Sequence, residues 1–135
     1  MPYMNWNESL RVGVGIVDEQ HKELVRLVNE LHDAMTQGQG HARLESTLKG
    51  LTDYTVTHFR TEEDYFASLG YDDAASHKRE HDSFILQVMD FTKGFEEGTL
   101  MLSLDVMSFL GDWLVKHIQG TDRKFAPFFN EHGVL

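Results

Sequence analysis

Histidine and glutamate stand in this chain at positions where helical spacing asks for leucine. His58 and Glu62 lie four residues apart, as do His77 and His81, and a helix projects such pairs from one face, one turn apart. The stripe that holds the first pair runs Leu44, Leu48, Leu51, Thr55, His58, Glu62, Tyr65 and Leu69, alternating steps of four and three. That alternation belongs to a helix packed lengthwise in a bundle. A second stripe, His77, His81, Phe84, Val88, Phe91 and Phe95, follows the same rule. A fold built on these stripes buries imidazole and carboxylate together. An unpaired buried carboxylate costs several kcal/mol, and an unpaired imidazole loses its hydrogen bonds. These residues therefore need a common partner.

Two more stripes complete the set. His21, Leu24, Val28, Leu31 and Met35 predict a first helix over about 18–36, stopped by Gly38 and Gly40, since glycine tolerates the left-handed conformation common just past a helix. The second helix spans about 42–69, with Gly70 as its stop, and the third runs from 73–76 to about 95, with Gly94 and Gly98 weakening its end. The fourth starts near Ser103 or Asp105 and carries Val106, Leu110, Trp113 and His117. Short connections between long neighbours predict an all-α protein, an antiparallel up-down-up-down four-helix bundle. Residues 1–17 read as an N-terminal arm docked by Trp6, and residues 18–135 as a single domain; after Pro127 both a short helix and a loop are open.

In that topology the polar residues fall at one height. His21 opens the first helix, His58 and Glu62 come late in the second, His77 and His81 open the third, and His117 closes the fourth. Asp122 is the difficult member. Five residues past His117, it lies about 140° around an ideal helix from it, so its carboxylate reaches the group only if the helix ends or unwinds near Gly120. The alternative is a solvated aspartate at a helix end. His32, His41 and His132 fall outside the scheme and read as ordinary surface residues.

Five imidazoles and two carboxylates suffice to hold two transition-metal ions side by side. Imidazole suits iron, zinc, copper and nickel, whereas bridging carboxylates favour iron or manganese. Di-iron sites of the ferritin-like kind are richer in carboxylate; the reverse balance here leaves the ions less compensated and disfavours very high oxidation states.

Composition narrows the class. The 135 residues favour one domain, and a chain of that size buries enough surface to need no disulfide. There is no cysteine, which excludes thiolate zinc and iron–sulfur sites and is compatible with a reducing cytosol. The formal net charge of −10 argues against nucleic acid as a partner. The first ten residues lack the basic start and apolar run of a secretory signal. No apolar stretch approaches the roughly 20 residues that cross a bilayer, so no membrane association and a cytoplasmic location are expected.

The residues that carry chemistry resemble those of the hemerythrins, in particular the single-domain bacterial kind. The match includes Asp18-Glu19-Gln20-His21, His58-Phe59-Arg60-Thr61-Glu62-Glu63, the pair His77 and His81, and Trp113-Leu114-Val115-Lys116-His117-Ile118 on to Asp122. The resemblance implies that His77, His81 and His117 bind one iron ion and His21 and His58 a second. Glu62 and Asp122 would bridge them, with an oxo or hydroxo group as third bridge. One ion is then saturated, and the other keeps a position for dioxygen. Members of the family place apolar groups at the positions of Phe59, Trp113, Leu114 and Ile118, which would exclude water from an oxygen pocket. For Trp113 and Leu114, plain core packing is equally open.

Three functions compete at this point. The first is reversible binding of dioxygen for storage, transport or sensing. The second is a di-iron enzyme on the same scaffold, a peroxidase or a handler of nitric oxide. The third is a signalling module in which metal staples the bundle. The sequence shows no substrate cleft or second catalytic carboxylate for an enzyme and no output domain for a sensor, and it does not identify a protein partner.

Overall fold

The structure is a computed structural model that describes residues 3–38, 40–98 and 104–135. A short 3-10 helix, Glu8–Leu10, precedes four long elements: α1 (Gly15–Thr36), α2 (His41–Leu69), α3 (Ala74–Glu96) and α4 (Leu104–Lys116). Beyond α4 the chain stays helical through a π-helical segment, His117–Asp122, and then α5 (Arg123–Glu131). The described residues contain no strand, and none of their helices is long and apolar enough to cross a membrane. Of the two starts expected for the fourth helix, Ser103 lies outside the described residues.

One boundary differs from expectation. α1 begins at Gly15 rather than near residue 18, because Asp18 anchors the chain just ahead of it. The Asp18 carboxylate accepts the N–H groups of Val12 at 2.8 Å and Gly13 at 3.2 Å, so the arm is tied to the first turn of the helix. α3 continues through Gly94 and stops at Glu96, where Gly98 turns with φ 75°. Pro127 lies inside α5, so of the short helix and the loop left open after it, the chain is helical as far as Glu131. Gly70 ends α2 as expected: its left-handed backbone (φ 73°, ψ 42°) lets Gly70 and Tyr71 both donate to the Phe66 carbonyl.

Most stripe positions are buried, with Met35, Leu44, Tyr65, Leu69, Phe91 and Trp113 half-buried, and the one buried stripe hydroxyl is satisfied locally. Thr55, 6 % exposed in the middle of α2, donates its hydroxyl to the Leu51 carbonyl at 2.7 Å, so a hydroxyl sits in the core without an orphaned proton. The arm lies along the bundle. Trp6 packs against the main apolar core with the Lys22 ammonium 5.7 Å above its ring. The Asn29 side-chain amide holds Met4 by both its N–H and its carbonyl, at 2.7 and 2.8 Å. Tyr3 stacks on His32 at 4.6 Å. His32 is thus half-buried under the arm rather than a plain surface residue, while His41 and His132 are exposed.

The apolar interior is divided. A large cluster built on Leu24, Val28, Leu48, Leu51, Met107 and Leu110 fills most of the bundle. A smaller one gathers Val14, Val17, Phe66, Phe125, Ala126 and Phe129 at one end. Between them lies a polar layer.

Candidate metal centre

The layer consists of His21, His58, Glu62, His77, His81, His117 and Asp122, each no more than 3 % exposed. α1 supplies the first, α2 the next two, α3 the pair His77 and His81, and the end of the fourth helix the last two. Asp122 arrives by a route that differs from the expected one. The helix neither ends nor unwinds at Gly120; it widens into the π-helical segment. Bonding from i to i+5 brings residues five apart onto one face, and Asp122 Oδ1 comes to 3.0 Å from His117 Nε2.

All five imidazoles turn Nε2 inward, and the two carboxylates divide their oxygens between two poles. Glu62 Oε1 lies 3.2 Å from His77 and 3.1 Å from His81, while Asp122 Oδ1 lies 2.9 Å from His77 and 3.0 Å from His117. The other oxygens face the remaining histidines: Glu62 Oε2 is 3.1 Å from His58 and 3.6 Å from His21, and Asp122 Oδ2 is 3.0 Å from His21. The seven residues therefore form two overlapping nests of donor atoms, one with three histidines and one with two, sharing both carboxylates.

Each outer nitrogen with a partner finds it on the preceding helix. Gln20 Oε1 of α1 lies 2.6 Å from His58 Nδ1 on α2. Glu63 of α2 lies 2.8 Å from His81 Nδ1 on α3, and Glu80 of α3 lies 3.3 Å from His117 Nδ1, steadied by the Thr121 hydroxyl at 2.8 Å. These three residues were not singled out from the sequence. The available signal was position: each is next to an inward residue of its own helix, at the flank where a polar side chain reaches across to the neighbour.

The donor chemistry fits a metal. A carboxylate only accepts, so Glu63 and Glu80 put the protons of His81 and His117 on Nδ1. Both Nε2 lone pairs then face one another across 3.0 Å, an arrangement that needs a cation between them. The buried Nε2 atoms of His21, His58 and His77, and all four carboxylate oxygens of Glu62 and Asp122, lack a hydrogen-bond partner of ordinary geometry. Their separations of about 3 Å are those of adjacent donors around an ion held at about 2.1 Å.

Without metal, protons take its place. Burial disfavours a charged His21 or His77, but Asp122 and Glu62 outweigh it and push both pKa values up to about 9. Burial acts to raise both carboxylates, and repulsion from Glu62 adds to it at Asp122, yet the surrounding imidazoles hold Asp122 below the usual range and Glu62 well below it.

The apolar surroundings are unequal. Phe59 stacks on His81 at 3.7 Å, and Trp113 stacks on His117 at 4.4 Å with Phe84 behind it at 4.0 Å. One turn further into the bundle is a small cavity whose walls include Leu24, Leu51, Thr55, Phe84, Leu110 and Leu114. Leu24, Thr55, Phe84 and Leu114 are each three residues from His21, His58, His81 and His117, so the cavity spans all four helices above the polar layer. Of the four residues expected around an oxygen pocket, Leu114 lines this cavity. Phe59 and Trp113 cover two histidines, and Ile118 is fully buried in the large cluster.

Comparison with known proteins agrees with this geometry. The bacteriohemerythrin of Methylococcus capsulatus is 37 % identical over 128 residues, 94 % of this chain and 97 % of that one. A hemerythrin-like protein of Naegleria gruberi is 37 % identical over 122 residues, 90 % of this chain and 89 % of that one. A crystal structure of wild-type hemerythrin superposes with a TM-score of 0.88 at 36 % identity, covering 93 % of this chain and 96 % of its own. The family model for the hemerythrin HHE cation binding domain matches residues 12–129, a span that includes all seven residues of the polar layer, and the chain belongs to the hemerythrin family.

Proposed function

We propose that this protein binds dioxygen reversibly at a non-haem di-iron centre. His77, His81 and His117 hold one iron, His21 and His58 hold the other, and Glu62 and Asp122 bridge both. The observation that carries the assignment is the division of each carboxylate's two oxygens between a three-histidine and a two-histidine pole. When bound, the iron pair supplies the electrons and the single open position that a dioxygen molecule requires.

The protein's own contribution is asymmetry and dryness. With the bridges shared, the two-histidine pole has one protein donor fewer, and that deficit supports a vacancy there. Phe59 and Trp113 lie flat over two ligands of the other pole. The cavity beside Leu114 offers an apolar approach that a small gas enters more readily than water or an ion. The acidic balance of the chain supports a neutral gas, rather than nucleic acid, as its ligand. A cytoplasmic setting suits this reading, since cellular reductants there return the iron to its ferrous state. The bundle acts in this reading as one domain, with the residues ahead of α1 as its arm.

The test is cyclic. Reduced protein is prepared without oxygen, exposed to air, examined for a visible charge-transfer band and then purged. A band that appears and disappears through repeated cycles supports carriage. Bleaching coupled to substrate turnover would move the assignment to an enzyme, and absence of iron would refute the centre.

A further inference from the structure

The three outer partners of the histidines are chemically unequal. Glu63 and Glu80, on the three-histidine pole, are carboxylates reaching solvent, 25 % and 44 % exposed. Gln20, on the two-histidine pole, is a neutral amide. A carboxylate has no wrong orientation, because both of its oxygens accept. An amide has one: turned over, it presents NH2 to His58 Nδ1. The ring must then carry its proton on Nε2, aimed at Glu62 Oε2 and blocking the lone pair that binds metal.

Thr61 removes that ambiguity. Its hydroxyl proton is committed to the Thr57 carbonyl at 3.2 Å, so its oxygen is left to accept. Gln20 Nε2 donates to it at 3.3 Å. With NH2 occupied there, Oε1 faces His58 Nδ1 at 2.6 Å. Neither Thr61 nor Thr57 touches a donor of the polar layer.

We infer that Thr61 and Gln20 form a positioning relay which locks the tautomer of His58 with a neutral group, leaving the two poles with unequal charge around their ligands and therefore unequal reduction potentials. This rests on the di-iron assignment above. Anionic partners make His81 and His117 stronger donors, so the three-histidine ion favours its ferric state more than its neighbour does. The two-histidine ion, which keeps the vacancy, is the more easily held ferrous.

Four variants test the relay. Gln20→Glu replaces the amide by a charge, and spectroelectrochemical titration should show the higher of the two one-electron steps moving down. The expected size is roughly tenfold in the ferric-to-ferrous ratio at fixed potential, about 59 mV. Glu63→Gln should move the lower step up. Thr61→Val should weaken metal binding at the two-histidine pole by roughly tenfold, with Thr61→Ser restoring it. Unmoved potentials in a Gln20→Glu protein that holds two irons, or full affinity in Thr61→Val, would overturn the inference. Its tautomer half has a separate readout in metal-free protein at alkaline pH, by long-range proton–nitrogen NMR. His58 should be protonated on Nδ1 in the parent and lose that preference in Thr61→Val; a parent protonated on Nε2 refutes the relay even if iron proves not to be the metal.

Discussion

The polar layer has a different neighbour on each side, and the contrast explains how one bundle both closes a site and opens it. Toward the chain ends lies an aromatic plug. Phe66, Phe125 and Phe129 are each no more than 2 % exposed, and their rings meet at 4.4 to 5.8 Å in stacked and edge-on pairs. Toward the middle of the bundle lie aliphatic side chains around a small cavity. Three phenylalanine rings pair with one another on the first side, whereas mostly aliphatic side chains from four helices surround a small cavity on the second. One side is packed ring on ring; the other keeps a small cavity.

His77 is the histidine of the layer that the plug holds. Its ring lies 4.8 Å from Phe66 and 5.6 Å from Phe125, and its Nε2 is near both bridging carboxylates. Its removal should break the contrast most severely. His77→Ala leaves Glu62 and Asp122 short of a shared partner and the three-histidine nest short of a donor, so iron per chain should fall from two to one or none. Colorimetric iron assay after anaerobic reconstitution checks this, and two retained irons would refute the assignment of the three-histidine pole.

Phe125→Ala attacks the plug without touching a donor atom. A buried phenylalanine truncated to alanine costs about 3–5 kcal/mol, and denaturant unfolding of the metal-free protein should show that loss. A loss no larger than that of a surface substitution would mean the aromatic end is not a core of its own.

The two sides were also unequally legible in the sequence. The chamber and the polar layer lie on long helices, where a stripe such as His21, Leu24, Val28, Leu31 announces itself over several turns. Burial followed that spacing. The plug could not be read this way. Val14 and Val17 come from the segment taken as an arm, and Phe125 and Phe129 from a stretch too short to show a period and interrupted by Pro127. The π-helical segment was legible only as a conflict: Asp122 belonged with the other six residues and stood on the wrong face for an α-helix. Widening resolved that conflict, since it moves one side chain around the axis while the chain stays helical. The partners Gln20, Glu63 and Glu80 stand off the stripes, and their meaning depends on which helix is the neighbour, which periodicity does not say.

The polar layer between plug and chamber gives the metal-free protein a pH dependence that metal should erase. His21 and His77 rise from an ordinary 6.5 to about 9 on folding. Their stabilising effect is therefore complete below pH 6.5 and lost as pH climbs through 9. Glu62 and Asp122 are depressed, so theirs is present above the usual carboxylate range and lost as pH falls below it. Thermal melts of metal-free protein should weaken from pH 7 to pH 10 and again in acid. Iron displaces the protons, so the loaded protein should keep its alkaline stability. Parallel alkaline slopes for the two forms would contradict a site in which protons substitute for metal.

The smallest change sharpens the chamber's role. Leu114 lines the cavity and stands one turn from His117, with its side chain 5 % exposed. Leu114→Val shortens that side chain by one methylene, a stability cost of about 1 kcal/mol, which leaves the bundle folded. The same change enlarges the space beside the polar layer. If the chamber excludes water by fit, the wider form admits it more often, and conversion to the inert oxidised form should quicken by a factor of a few while iron content stays at two. Stopped-flow oxygenation followed by slow bleaching separates the two rates. A plug residue altered equally modestly, Phe129→Leu, should leave the bleaching rate unchanged, because water does not enter from that side. Equal effects from both ends would mean that the site is reached through general opening of the bundle and that the aliphatic chamber is ordinary packing.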